Sequence, residues 1–403
     1  MYKKILILAI LSFSSLSSYS AEDTISQWTY QYMKKINGYI SEENWIEAKR
    51  ELEIFENKYF KNERSYERAL INQLYGQFYL LQGEFELAIP WLDKAVKHGK
   101  LSLPADIQTR TNLAAAYFQL GKYNNVITSL LGAQKKGMTR GIDLSAANYV
   151  MLGMAYFQKK DYLNAYKHVS IGNDLTTKLN EDWLQYEFAL AVQLKRYDEA
   201  IEVGQYLVFV NPSKDSYWKQ LSGVYYGGNN EDGSLAGLEL AYEKGVLTKE
   251  QDFVNLVKYF LYKDLPIKAV KVMNDGLDNL FIEENKKNLD LLSDAYFLAK
   301  NRSNGVEALK RSLAIEPDPK TSYKIGRFSF ESEDWDTAIK FFKKAKNENW
   351  NEVPGRIDLL LGITYYEKNN YDNSLLHLKL ALNFDKSKTA AEGWINYINE
   401  TIK

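Results

Sequence analysis

Residues 76 to 95 read Gly76-Gln77-Phe78-Tyr79-Leu80-Leu81-Gln82-Gly83-Glu84-Phe85-Glu86-Leu87-Ala88-Ile89-Pro90-Trp91-Leu92-Asp93-Lys94-Ala95. Small residues stand at Gly76, Ala88 and Ala95, rings at Tyr79 and Phe85, and Gly83 separates two stretches of helical period. The layout returns at Gly153, Tyr156, Tyr162, Ala165, Val169 and Gly172. It returns again at Gly362, Tyr365, Tyr371, Ser374, Leu378 and Ala381. Self-similarity at a spacing of about 33 to 40 residues means a helix–turn–helix unit stacked many times, since one such unit cannot bury its apolar face alone.

Numbering each unit so that the small residue of its first helix is position 8 gives ten copies. That column reads Ile36, Gly76, Ala114, Gly153, Phe188, Ser222, Val257, Ser293, Gly326 and Gly362. Position 11 is the aromatic column: Tyr39, Tyr79, Tyr117, Tyr156, Ala191, Tyr225, Phe260, Tyr296, Ser329 and Tyr365. Position 20 is small in most copies, as at Ala48, Ala88, Ala165, Ala200, Ala269 and Ala338, and position 27 likewise, as at Ala95, Ala133, Gly172, Ala241, Gly276 and Ala345. Two antiparallel helices approach closely only where side chains are small. Ile36 and Phe55 break the rule in the first copy, which suits an end unit. Pro212 and Pro317 close their units at position 32. Pro266 is expected in an inter-helix turn, where a missing N–H is harmless, and Pro90 inside a second helix, where one backbone bond is lost.

These columns resemble the tetratricopeptide repeat (TPR), and the resemblance covers nearly all of the chain beyond residue 20. It implies an all-α superhelical solenoid of about ten units over residues 21–388, built to hold other proteins. Residues 389–403, with Trp394, are expected to form a C-terminal capping helix. The stretch Gly227 to Gly233 is expected as a flexible inter-helix turn, without the ordered oxygen ligands of a calcium loop.

The N-terminus has a basic start at Lys3 and Lys4, an apolar run from Ile5 to Leu11 and small residues up to Ser20. This is the pattern of a secretory signal peptide over residues 1–20, cut after Ser20. The run is too short to span a bilayer, so no stable membrane insertion is expected. With no cysteine, disulfides, thiolate metal sites, cysteine nucleophiles and a lipid-modified cysteine are excluded. A periplasmic location fits.

The 51 basic residues nearly balance the 52 acidic ones, so the basic excess of a nucleic-acid binder is missing. The three histidines, His98, His168 and His377, lie in distant units. They are expected as partly exposed helix residues, and no pair has metal-ligand spacing. There is no Gly-x-Ser-x-Gly elbow, phosphate loop or dinucleotide fingerprint. No cofactor, metal or catalytic residue is expected.

In TPR arrays, positions 2, 5, 9 and 12 of the first helix line the concave wall. Position 12 reads Leu80, Phe118, Phe157, Val192, Tyr226, Leu261, Phe297, Phe330 and Tyr366. An apolar strip there suits a peptide or helix partner, although aromatic stripes at helical spacing also serve as packing between helices. Lys287, Lys320, Lys324, Arg327 and Arg356 add positive charge in the last three units, beside Asp290 and Asp294. They could receive an acidic segment or a chain terminus, or form an ordinary solvated face. The Lys and Asn set of chaperone-tail binders is not present.

The segments Trp218–Tyr225, Leu238–Tyr242, Gly326 with Glu333-Asp334-Trp335, and Leu359–Ile363 with Trp394–Tyr397 are similar to exported TPR proteins encoded beside TonB, ExbB and ExbD energy-transduction components in Gram-negative bacteria. That resemblance implies a non-catalytic adaptor with a TonB-like transducer or an outer-membrane receptor component as partner. The alternatives are a scaffold for envelope assembly or for polysaccharide or outer-membrane protein export, and an envelope hydrolase with a scattered site.

Overall fold

The structure is a computed structural model that describes residues 26–59, 66–348 and 352–401; the expected signal peptide, residues 1–20, lies outside the described residues. Every regular element among the described residues is an α-helix. The chain forms two compact units, 1–230 and 231–403, which divide it within the sixth repeat, at the Gly-rich stretch.

In the first unit, hairpins are formed by α1 (Gln27–Ser41) with α2 (Trp45–Tyr59), α3 (Tyr66–Leu81) with α4 (Phe85–His98), and α5 (Leu103–Gln119) with α6 (Tyr123–Met138). Then follow α7 (Ala146–Gln158) with α8 (Tyr162–Asp174), α9 (Glu181–Gln193) with α10 (Tyr197–Val210), and α11 (Asp215–Gly227). The second unit opens with α12 (Glu231–Glu243) and continues with α13 (Glu250–Tyr262), α14 (Pro266–Asp278), α15 (Lys286–Leu298), α16 (Arg302–Ile315), α17 (Pro319–Glu331), α18 (Trp335–Asn347), α19 (Arg356–Glu367), α20 (Tyr371–Ala381) and α21 (Asp385–Thr401). Within each unit a helix packs chiefly on the one before it and the one after it, as a tandem array requires.

The first helix of every hairpin ends in the same way. Position 15 is left-handed in all ten repeats: Glu43, Gly83, Gly121, Lys160, Lys195, Asn229, Asp264, Lys300, Glu333 and Asn369. The amide of position 16 donates to the carbonyl of position 11, as Asp161 to Tyr156 at 3.0 Å and Asn370 to Tyr365 at 2.9 Å. The amide of position 15 donates to position 12, as Lys160 to Phe157 at 2.8 Å. Together these two bonds form the Schellman cap, which satisfies carbonyls a helix end would otherwise leave open. Only two of the ten residues are glycine, so the cap is held mostly by residues that pay a conformational penalty there.

Two sequence expectations change. Glu231, Asp232 and Gly233 are the first turn of α12 and not part of a flexible loop, so the turn is as short as the others. Acidic residues are stabilised at that end of a helix by its dipole. Pro266 is the first residue of α14 rather than a turn residue; its absent N–H lacks an acceptor there in any case.

The hairpin crossings explain the small columns. A Cβ on Gly153 would lie 2.5 Å from Val169 Cγ2 and 2.8 Å from the Ala165 carbonyl oxygen. A Cβ on Gly172 would lie 2.9 Å from the Ala146 carbonyl oxygen, so α7 and α8 touch backbone to backbone at both ends of their crossing. In the first repeat Ile36 and Phe55 are fully buried and fill the space that small residues leave elsewhere. α21 buries Ala391 and Ile398 against Leu378 and Ala381.

A polar link recurs between successive repeats. Position 1 of one repeat bonds position 3 of the next: Glu181 accepts from the Tyr217 hydroxyl, and Glu250 from Asn288 Nδ2 at 2.9 Å. Lys286 reaches Thr321 at 3.5 Å and pairs with Asp290 and Asp318 at 2.7 and 3.4 Å. The register between hairpins is thereby fixed by polar contacts as well as by apolar packing.

Candidate functional site

In residues 1–230, Leu80 is buried among Ala88, Leu92, Leu113 and Ala116. Phe118 is half-buried and meets Tyr123 edge-on, with ring centroids 5.9 Å apart. Phe157 lies 5.8 Å from Tyr162 and keeps 37% of its surface exposed. Val192 is equally exposed, and Tyr226 is 64% exposed. The strip therefore begins as core at Leu80 and opens toward solvent along the unit.

In residues 231–403, Phe297 stacks on Phe328 with centroids 3.5 Å apart. Phe330 packs on Trp335 at 5.5 Å. Tyr366 is ringed by Tyr371, Trp394 and Tyr397 at 5.8, 5.4 and 5.7 Å. Its hydroxyl is pushed up to about 12, first by the hydrogen bond with Tyr397 and then by desolvation.

Phe118, Phe157, Phe330 and Tyr366 share one packing partner, the aromatic residue five places on that opens the second helix. These rings close the turn and at the same time present an edge to the first-helix face. The position-17 rings, Tyr162 and Tyr371 among them, belong to the repeat layout in the sequence; their pairing with position 12 shows only in the structure.

The basic residues of the second unit are mostly paired. Lys324 lies 3.9 Å from Asp294, Lys320 3.2 Å from Glu352, and Arg327 3.5 Å from Glu331 while covering the face of Phe328. Arg356 and Lys287 are exposed and make no ion pair among the described residues. Asp294 is 58% exposed. Even so, desolvation by the surrounding protein holds its carboxyl above the usual carboxylate range, with Lys324 opposing and Asp290 adding to the rise.

His168 is not the partly exposed residue expected, whereas His377 keeps part of its surface exposed. His168 is buried and lies flat on Tyr156, 5.4 Å between ring centroids; His377 repeats the stacking on Tyr365 at 5.7 Å. Position 23 of the second helix faces position 11 of the first. Burial lowers the pKa of His168. His377 Nδ1 lies 2.7 Å from Asp358 Oδ1, which also accepts from Lys346 at 2.6 Å. Asp358 stays below the ordinary carboxylate range because these two partners outweigh its desolvation. Neither histidine has further ligand groups around it. Among the described residues no group of three or more His, Asp or Glu side chains could hold a metal ion.

The molecule is thus an all-α array of antiparallel helix pairs repeated in tandem, the tetratricopeptide-type arrangement. No protein-family model and no curated protein sequence matches the chain. Among solved structures it is similar to MamA, at 23% identity over 44% of this chain and 91% of that one, with a TM-score of 0.36. It is similar to a tetratricopeptide repeat protein from Parabacteroides merdae, at 12% identity over 75% and 99%, with a TM-score of 0.38. A third is YrrB, described as a TPR protein with an unusual peptide-binding site, at 16% identity over 49% and 100%, with a TM-score of 0.36. The repeat register rests on the chain's own columns and caps, not on these likenesses.

Proposed function

We propose that the protein is a non-catalytic scaffold that holds a protein or peptide segment against its first-helix face. The observation that carries this is the run Phe157, Val192 and Tyr226, apolar side chains that are 37 to 64% exposed at one repeat position in three successive repeats. Large apolar groups displayed in register fit a contact surface, and an extended or helical segment is the partner whose side-chain spacing can follow it. Taken by itself, the second unit, with Lys287 and Arg356 unpaired among the described residues, suits a segment carrying carboxylates.

The reading extends to a periplasmic adaptor of a TonB-type system for outer-membrane uptake, supported by the export pattern of residues 1–20 and the segment resemblances of the C-terminal half. Crosslinking in living cells followed by recovery of the periplasmic fraction tests it. Capture of the transducer or of a receptor-side component is expected, and recovery of envelope export machinery alone would favour the scaffold for assembly or export. Replacing Phe157 and Tyr226 with Ser should weaken capture by roughly 2 kcal/mol, on the order of thirty-fold, with the far-UV circular dichroism unchanged. Unchanged capture by a folded double variant would remove this face as the contact surface.

A further inference from the structure

At two hairpin turns of residues 231–403 opposite charges meet one another, while Asp264, Lys300 and Glu333, also on turns, stay exposed. Lys263 pairs with Glu231 at 2.9 Å and Asp232 at 3.1 Å, and Lys368 pairs with Asp336. Each pair joins the turn region of one repeat to the second helix of the repeat before it.

The same edge of the first unit is built differently. The turns of its first two repeats carry Glu42, Glu43, Glu84 and Glu86, and the next three carry Lys122, Lys159, Lys160 and Lys195. All eight side chains are exposed, and none makes an ion pair among the described residues. Nearby counter-charges are already engaged: Glu47 with Arg50, Glu199 with Arg196, and Asp161 with the amide of Asn164. Asp198, in the first turn of α10, is the exception and stays exposed. Exposed aliphatic side chains accompany both halves: Ile46 and Leu87 in the acidic one, Leu163 in the basic one.

The edge therefore changes sign along its length, with four unpaired carboxylates and then four unpaired ammonium groups. A partner of uniform charge fits half of it. A surface that fits the whole must change sign in the opposite direction, and a second copy turned through a twofold axis does so.

We propose that this turn edge is a homodimer contact. The two copies run antiparallel about an axis at the third hairpin turn, Gly121-Lys122. Glu42 and Glu43 of one copy then face Lys195 of the other, and Glu84 and Glu86 face Lys159 and Lys160. Leu87 meets Leu163. Lys122 lies near the axis, the one meeting of like charges, and its flexible side chain can turn toward the Glu84 of the other copy. Exposed ion pairs contribute little singly, so the dimer is reversible and sensitive to salt.

Sedimentation equilibrium of the mature chain tests this. A dimer is expected whose dissociation constant rises on the order of tenfold between about 0.05 M and about 0.5 M salt. The variant E42K/E43K/E84K/E86K and the variant K122E/K159E/K160E/K195E should each be monomeric, and their equal mixture should dimerise. Should either lose its helix signal, the smaller swaps E84K/E86K and K159E/K160E carry the same test. The absence of native cysteine allows a check of register: Leu87→Cys in one copy and Leu163→Cys in another should form a mixed disulfide in preference to either symmetric one. A wild-type chain that stays monomeric at low salt and high micromolar concentration overturns the proposal. So does a dimer that neither swap disturbs, or a mixture of folded swap variants that remains monomeric.

Discussion

Leu280 occupies the left-handed place of a Schellman cap at the end of α14, where Gly245 stands in the repeat before it. Its side chain is 90% exposed, so no packing offsets the strained backbone. Leu280→Gly should stabilise the protein by about 0.5 to 1 kcal/mol, the relief of the left-handed penalty exceeding the added entropy of the unfolded chain. The midpoint of chemical denaturation measures it. Glu187 offers a second residue-scale case. Burial raises its pKa above the ordinary carboxylate range, and its main partner is Asn173 Nδ2 at 2.7 Å. Because the folded pKa is the higher one, this group disfavours the folded state once the pH has risen through that value. Glu187→Gln should therefore raise the melting temperature at pH 7, and the gap from wild type should close as the pH falls toward 4.5. The new amide can also donate to Asn173 Oδ1, which lacks a partner. Neither residue announced itself in the sequence. A Glu at position 7 of a first helix reads as a surface residue until the neighbouring repeat is in place, and no spacing marks a Leu as left-handed.

At the scale of helices, glycine separates two situations that look alike in sequence. Gly38 in α1 and Gly223 in α11 have nothing within 4 Å of where a Cβ would stand, whereas Gly153 and Gly172 face backbone oxygens at 2.8 and 2.9 Å. Gly38→Ala and Gly223→Ala should each stabilise by roughly 0.5 to 1 kcal/mol through reduced unfolded-state entropy and better helix propensity. Gly153→Ala and Gly172→Ala should cost about 1 to 3 kcal/mol, because a carbonyl cannot swing aside as a side chain can. Thermal melts of the four variants decide it. The helix pairing and the crossing columns were legible in the sequence because they depend on side-chain size at fixed spacing. The caps were not. Gly83 and Gly121 mark two of the ten left-handed turns, while Glu43, Lys160, Lys195, Asp264 and Lys300 carry no such mark.

Across the whole molecule, stability should be divided, since helices pack on their neighbours along the chain and little else. A larger insertion at the α7–α8 crossing, Gly153→Leu, should raise hydrogen exchange most over residues 146–174 and leave residues 231–403 protected. Uniform loosening of both units would contradict the nearest-neighbour picture. The first-helix strip was legible as a column, but its exposure was not, because burial at Leu80 and exposure at Tyr226 depend on which residues the adjoining helices supply. The short Schellman turns carry one more consequence. Lys159-Lys160 and Lys195-Arg196 are cleavage sequences for trypsin, placed on hairpin turns. A protease, however, needs an extended stretch of backbone, and these turns are pinned on both sides: the Arg196 amide donates to Ala191 at 2.9 Å and the Arg196 carbonyl accepts from the Ala200 amide at 3.0 Å. Scission there requires the hairpin to unwind first, so its rate follows the population of opened repeats rather than surface access. Each basic turn is in effect a gauge of fracture, and the order in which the cuts appear would read out where along the array the protein first comes apart.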